Sequence, residues 1–425
     1  MTPLDDFPCM AYVRQQLIAR GLGDLNGVVE ASIHCAGDFR PLNSGETVAV
    51  AVGSRRIDRI DEIVHQCLRS LEERGFSPFI VPAMGSHGGA TPAGQMEILS
   101  RLNITESGMK VPVAADMSTR CIAVMSGGVN IHFSSAALAA DHLVVINRVK
   151  PHTKFKADIE SGLCKMLTIG LGNAEGAAAF HRAAVGRSFG IIETAAALVL
   201  QKVNVLFGIA LVEDGCGRLA HVDVLKPDDL IDREKKLLRQ SAGMMARLPF
   251  DDIDILIVDV IGKDISGIGM DSNVTGRHRD LAGSVFTRPR VSRIFVRDLS
   301  SGSGGNANGI GLADFTSTRL VKQIDMEKTF VNAVTAISPE KGAIPVHFDT
   351  DRRCLDACLK TCGVMSPDMA RVVRIRDTAH LEYIQISKTF EAEIEQNPDL
   401  ERVTPWRPFA LDASDNLENF DPYEN

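Results

Sequence analysis

TVAVAVGSRRIDRIDEIVHQCLRSLEERGFSPFIVPAMGSHGGAT, residues 47–91, holds a complete strand–helix–strand unit. Thr47–Val52 is apolar at every position after the first, as a strand covered on both faces must be. Ile60, Ile63, Val64, Cys67, Leu68 and Leu71 then recur at helical spacing. His65 falls on the opposite, solvated face, and Gly75 sits where a C-cap belongs. Pro78–Val81 is the next strand, and Leu143–Ile146 (LVVI) repeats the pattern further on. Strands apolar on both faces with helices between them predict an α/β fold with mostly parallel sheets, covered on each side.

A chain of 425 residues exceeds one ordinary core, so two α/β domains are expected. A second run of strands begins with Ile253–Val260 (IDILIVDV) and continues with Ile294–Val296 and Ile344–Val346. The predicted division is 1–250, an N-terminal domain with the reactive loops, and 251–390, a C-terminal domain that closes an active site in the cleft between them. From Glu391 the chain carries ten acids against two arginines, with Pro405 and Pro408. Residues 391–425 therefore read as a peripheral, partly disordered acidic arm.

A net charge of −8 argues against a nucleic-acid partner, because phosphate backbones need clustered Lys and Arg. No run of about 18 apolar residues occurs, and two acids stand near the N-terminus where a signal peptide would be basic. Nine scattered cysteines without an export signal fit reduced thiols in a cytoplasm. Cys354, Cys358 and Cys362 would share one helix face and read as buried apolar residues rather than a metal cluster.

In open parallel sheets, ligands bind beyond the carboxyl ends of the strands. Three such ends carry unusual residues: Gly53-Ser54-Arg55-Arg56, Met84-Gly85-Ser86-His87-Gly88-Gly89-Ala90-Thr91, and Asn147-Arg148-Val149-Lys150-Pro151-His152. Taken singly, Arg56 reads as a solvated residue, His87 as part of a loop ahead of the Thr91-Pro92 helix start, and His152 as a turn residue. Their shared placement at one sheet edge favours a site. The most distinctive stretch follows, VKPHTKFKADIESGLCKMLTIGLGNAEGAAAFH, residues 149–181, with four lysines and a histidine sixteen residues after Lys165. A lysine in a Gly-containing loop is a common phosphate ligand and a helical histidine a common metal ligand.

Pro151-His152, Ser161-Gly162, Lys165 and His181 together resemble the central signature of the nickel-pincer lactate racemases. The resemblance covers roughly residues 10–370. It implies a nickel-pincer nucleotide, a pyridinium-3-thioamide-5-thiocarboxylic acid mononucleotide, joined covalently to Lys165 with Ser161 and Gly162 beside it. It further implies nickel on His181, catalytic histidines at His87 and His152, and a substrate carboxylate held by Arg56. Gly269-Met270-Asp271-Ser272-Asn273 resembles a turn that would bring Arg277 or Arg279 to the substrate from the second domain. Gly53, Gly88 and Gly89 stand where the family has larger residues, which implies a roomier pocket and an acid larger than lactate.

The implied activity is racemisation or epimerisation of a 2-hydroxy acid, in a cytoplasmic protein served by cofactor-synthesis proteins. Hydrogen on C2 is too weakly acidic for a side-chain base, whereas reversible hydride transfer avoids that step, and two imidazoles can exchange the hydroxyl proton. Two other readings stand beside it. Gly170-Leu171-Gly172-Asn173-Ala174-Glu175-Gly176 approximates a dinucleotide fingerprint with one residue too many, and Gly302–Gly309 could cradle a phosphate, so a nicotinamide-dependent dehydrogenase is one. The other is a protein of the same fold that binds a small acid or nucleotide without turnover.

Overall fold

The computed structural model describes residues 2–3, 7–37, 39–187, 190–279, 281 and 283–423. It divides into two compact units, Ala19–Met245 and Met1–Ile18 with Ala246–Asn425. Each is α/β with a mainly parallel sheet, as the strand pattern predicts.

In Ala19–Met245 the sheet runs Ser77–Pro82, Thr47–Val52, His142–Arg148, Val205–Glu213, Leu219–Leu225. The first four strands are parallel and the last antiparallel. Strand alternation sorts the side chains of Thr47–Val52. Val48, Val50 and Val52 face a core that includes Ile60, Ile63, Val64, Cys67, Leu68 and Leu71 of the helix Ile60–Glu72. Ala49 and Ala51 face the opposite core, with Leu163, Cys164, Met166 and Leu167. Each of the buried Val, Ile, Leu and Met side chains contributes roughly 2 kcal/mol of apolar burial. His65 is exposed, as expected. Three adjacent parallel strands thus deliver the loops at 53–56, 83–91 and 149–152 to one edge, because Val52 pairs with both Pro82 and Ile146.

The other unit has an eight-stranded sheet, Val346–Phe348, Phe315–Ser317, Arg290–Leu299, Asp252–Ile261, Val372–Ile375, Tyr383–Ser387, Met10–Gln15, Leu400–Arg402. The expected strand at 344–346 lies two residues later, beyond Pro345, whose missing N–H cannot serve the ladder. Residues 1–18 do not belong with the first domain. Met10–Gln15 pairs antiparallel with Tyr383–Ser387 and Leu400–Arg402, and buries Met10, Ala11 and Val13. Nor is 391–425 a peripheral arm. It forms the helix Glu391–Gln396 and that edge strand, and it buries Phe409, Leu411 and Leu417.

The same segment closes a buried ion cluster. Arg297 reaches Asp259 at 2.7 Å and Asp351 at 2.8 Å, and Arg374 reaches Asp259 at 2.7 Å. The guanidiniums also donate to the Leu417 and Glu418 carbonyls, and the Leu417 N–H donates to Asp351. Acid-rich composition describes the exposed positions of this segment, whereas three apolar anchors and its own backbone hold it. Cys354 and Cys358 lie fully buried on the helix Asp351–Thr361. Burial pushes the Cys354 thiol up to about 12 and Cys358 well above its ordinary value, so both remain apolar thiols.

Candidate active site

The loop 149–162 leaves the strand His142–Arg148 and closes on itself, with Lys150 and Ser161 exchanging backbone hydrogen bonds of 2.9 and 3.2 Å. Inside it, the buried Glu160 carboxylate accepts from the His152 N–H at 2.5 Å and from the Ala157 N–H at 3.3 Å. Burial raises the pKa of Glu160. The His152 ring stacks on Phe155, with centroids 4.3 Å apart. Its Nδ1 accepts from the Lys154 N–H at 3.1 Å, so the neutral ring carries its proton on Nε2 and presents a donor there.

Beyond Ser161 the chain makes a short turn, Leu163–Lys165, and continues as a π-helical segment, Met166–Gly170, a geometry concentrated at functional sites. Glu234, on the helix Leu230–Met244, holds the start of this turn by accepting from the Cys164 N–H at 2.9 Å. A Cβ at position 162 would collide with Glu234 Oε1, which explains the glycine. Asn147 fixes the same point by donating from Nδ2 to the Gly162 carbonyl at 2.9 Å. Glu234 is 1% exposed, and burial raises its carboxyl to about 7. Ser161 and Gly162, expected beside the cofactor, thus serve at least to place Lys165.

Lys165 is half-buried, and among the described residues its amine has neither an ion pair nor a hydrogen bond. Burial foremost, and then the neighbouring Arg55, hold it down at about 7, with Glu160 acting in the opposite sense. An amine there is uncharged in a large part of the population at neutral pH. Arg55 is likewise half-buried and without a partner among the described residues. Burial and Arg148 lower it to about 10. Arg148 itself is paired with Glu213.

Arg55 rather than Arg56 is therefore the inward arginine. Arg56 is exposed, because the chain turns outward as it approaches the helix Ile60–Glu72. The sequence expectation named Arg56; of two adjacent arginines at a strand end, spacing alone does not choose which is the more buried.

On the other flank, His87 Nδ1 lies 2.5 Å from the Ser54 hydroxyl, which ties the loops after two adjacent strands. When Nδ1–H donates to the Ser54 hydroxyl, Nε2 carries the ring's lone pair, the form in which an imidazole acts as a base. The His87 loop is seated by Gly85, whose N–H donates to the Gly170 carbonyl at 3.0 Å and whose Cβ position faces Ala177 at 3.5 Å. His181 stands one turn beyond Ala177 on the helix Asn173–Arg187, on the stripe that faces this loop. His87 follows the carboxyl end of Ser77–Pro82, and His152 and Lys165 follow that of His142–Arg148; these strands flank Thr47–Val52, so the two histidine loops start about 10 Å apart.

The glycines do not enlarge the pocket as expected. A Cβ at Gly53 would meet Met166 Cε at 3.0 Å, so Met166 already occupies that space. Gly88, at φ +68, lies against the backbone of the helix Pro92–Arg101, where a Cβ would approach Gly94 C to 2.5 Å. Only Gly89 of the three faces open space.

No family model and no curated protein matches the chain. Among solved structures it is similar in fold to a protein from Thermotoga maritima, at 15% identity over 79% of this chain and 89% of that one, with a TM-score of 0.48. It is also similar to the lactate racemase apoprotein from Thermoanaerobacterium thermosaccharolyticum, at 12% identity over 91% and 92% of the two chains, with a TM-score of 0.47.

The second-unit arginines serve their own unit. Arg277 donates to Asp314 and to the carbonyls of Leu312, Val291 and Ser292, which leaves little for a substrate. Arg279 is more exposed and lies 3.8 Å from Asp314, in a cavity of about 370 Å³ with Arg293 and Ile344. The Gly170–Gly176 run follows a π-helical segment instead of a strand, and its glycines admit protein: a Cβ at Gly170 would meet the Ala83 carbonyl at 2.8 Å, and one at Gly172 that of His132 at 3.1 Å. Gly302–Gly309 packs on the turn at 262–269 in the same way, and a Cβ at Gly309 would collide with the Ile268 carbonyl. Gly170, Gly172 and Gly309 thus give their space to neighbouring backbone. Among the described residues no helix is long and apolar enough to cross a membrane, and no group of three His, Cys, Asp or Glu side chains could hold a metal.

Proposed function

We propose that the chain is a racemase or epimerase of a 2-hydroxy acid, using a nickel-pincer nucleotide held covalently on Lys165. The observation that carries the reading is the Lys165 amine, held down at about 7 and without an ion pair or hydrogen bond among the described residues, within electrostatic reach of the Arg55 guanidinium on the edge that also gathers His87 and His152. Covalent attachment requires such an amine, since an ammonium has no lone pair to form the bond. A site of one lysine anchor and one histidine, His181, also needs no cluster of protein ligands. When bound, the group would supply reversible two-electron oxidation at C2 of the substrate.

The chain's own residues divide the remaining work. Arg55 takes the substrate carboxylate, a geometry that suits a guanidinium fork. His87, held by Ser54, removes the hydroxyl proton at Nε2. His152 donates from Nε2 to the same oxygen and becomes a base only when it gives up the Lys154 N–H, so the two imidazoles are unequal. The cytoplasm is the location in this reading, with nine cysteines and no disulfide among the described residues in its favour. Cofactor-synthesis proteins are its required partners.

The test is the intact mass and nickel content of protein made alongside cofactor-synthesis enzymes. The native chain should carry a sulfur-bearing adduct and nickel. Lys165→Ala should lose the adduct, whereas His181→Ala should keep it and lose nickel. A Lys165→Ala protein that retains the added mass refutes the assignment.

A further inference from the structure

The same site has a property that does not depend on any cofactor. Lys165 and Arg55 are two half-buried basic side chains within electrostatic reach of each other, on segments joined where Met166 meets Gly53, with no carboxylate paired to either among the described residues. Arg148, the next basic group, is neutralised by Glu213, and Lys156 by Glu160 at 3.4 Å. Of these four basic groups, the charge without a carboxylate among the described residues is therefore that of Arg55, and the available electron pair is that of Lys165. Such a pair calls for a ligand with an anion at one end and an electrophilic carbon close to it.

We propose that, in the chain free of cofactor, the Lys165 amine condenses with 2-oxo acids to form an imine, with Arg55 holding the carboxylate. In this step the nitrogen lone pair forms the C–N bond while the carbonyl π pair moves to oxygen, which takes up a proton. Nitrogen supplies that proton and then a second, the oxygen leaves as water with the C–O bonding pair, and the nitrogen pair closes C=N; nothing is oxidised or reduced. The turn that carries Lys165 is fixed from two sides, by Glu234 on the Cys164 N–H and by Asn147 on the Gly162 carbonyl, so the amine is presented rather than free to wander. Burial supports the reactivity by keeping the amine at about 7, against roughly 10.4 for a solvated lysine. A 2-oxo acid is also what a 2-hydroxy acid becomes on oxidation at C2, so the inference names a ligand class for the site whether or not the cofactor reading holds.

The experiment uses the full chain made without cofactor-synthesis proteins, incubated with pyruvate and cyanoborohydride, which reduces an imine to a stable amine. One reduced pyruvate per chain should appear in the intact mass, and peptide mapping should place it on Lys165. Lys165→Gln should remain unlabelled. Arg55→Leu should label about tenfold more slowly, the worth of one hydrogen bond to a charge, with Arg55→Lys restoring part of the rate. Acetone, which lacks the carboxylate, should be slowed by Arg55→Leu much less than pyruvate is, because it loses only the help of Arg55 in keeping the amine uncharged. Labelling scattered over other lysines, labelling no faster than in Lys165→Gln, or equal pyruvate rates in native and Arg55→Leu chains would each overturn the proposal. A sulfur-bearing adduct on Lys165 after co-expression is a separate readout, so this inference and the cofactor reading can fail independently.

Discussion

Deleting residues 413–425 tests whether the acidic C-terminal segment is structural. The deletion removes the buried Leu417 side chain, worth roughly 2 kcal/mol. It also removes the acceptors of Arg297 and Arg374 on the Leu417 and Glu418 carbonyls, and the Leu417 N–H that Asp351 accepts. Hydrogen bonds to buried charges contribute about 1.5–3 kcal/mol each. The combined loss, on the order of 6–10 kcal/mol by those values, rivals the whole stability of an ordinary domain. The deletion should leave this unit without a cooperative transition. Leu417→Ala is the milder perturbation. It keeps the backbone bonds, should cost about 2–4 kcal/mol, and should move a urea midpoint by about 1–2 M. Trp406, the chain's one tryptophan, lies in this unit and reports its unfolding by fluorescence. A Trp406 transition unchanged in the deleted chain would refute the reasoning and return 391–425 to the status of an arm.

Glu234→Gln should make stability less dependent on pH. A carboxyl raised from 4.5 to about 7 is neutral in the folded chain where the unfolded chain would ionise it. Its contribution is therefore full below 4.5 and falls through the window up to about 7, a loss of about 3 kcal/mol above it. The variant should gain stability at pH 8 and none at pH 4.5, by thermal or urea unfolding followed by circular dichroism; an equal gain at both would exclude the assignment. For catalysis, His87→Ala should lower racemisation by about 10²-fold or more. His152→Gln, which keeps a donor, should retain more activity than His152→Ala, and equal losses would refute the donor role. Racemisation in D2O should leave C2 undeuterated, since solvent deuterium there would indicate a carbanion. Gly89→Ala should cost about 1 kcal/mol for its left-handed backbone, whereas Gly88→Ala, which also meets the Gly94–Gln95 backbone, should cost several times more in a urea titration.

Much of this was legible in the sequence because it is local. The doubly apolar strands and the 3.6-residue pattern of Ile60–Leu71 specify a parallel sheet with covering helices before any partner is known. The gathering of 53–56, 83–91 and 149–152 at one edge then follows from parallel pairing. What stayed hidden depends on residues distant in the chain. Met10–Gln15 shows six residues of weak pattern, and only Tyr383–Ser387 and Leu400–Arg402 make it a strand. Gly53 reads as added space until Met166, more than a hundred residues on, is found filling it. The choice of Arg55 over Arg56 turns on where the backbone bends after Val52, and Glu234 gives no local sign that it caps the turn before Lys165.

The pairing of Met10–Gln15 also has a consequence for synthesis. The strand leaves the ribosome roughly 370 residues ahead of its first partner, a wait on the order of 20–70 s at ordinary elongation rates. During that interval Ala19–Met245 can emerge and fold whole, while an unpaired edge bearing Met10, Ala11 and Val13 is exposed beside it. Nascent chains stalled before Tyr383 should be where misassembly concentrates, and where a chaperone would find something to hold.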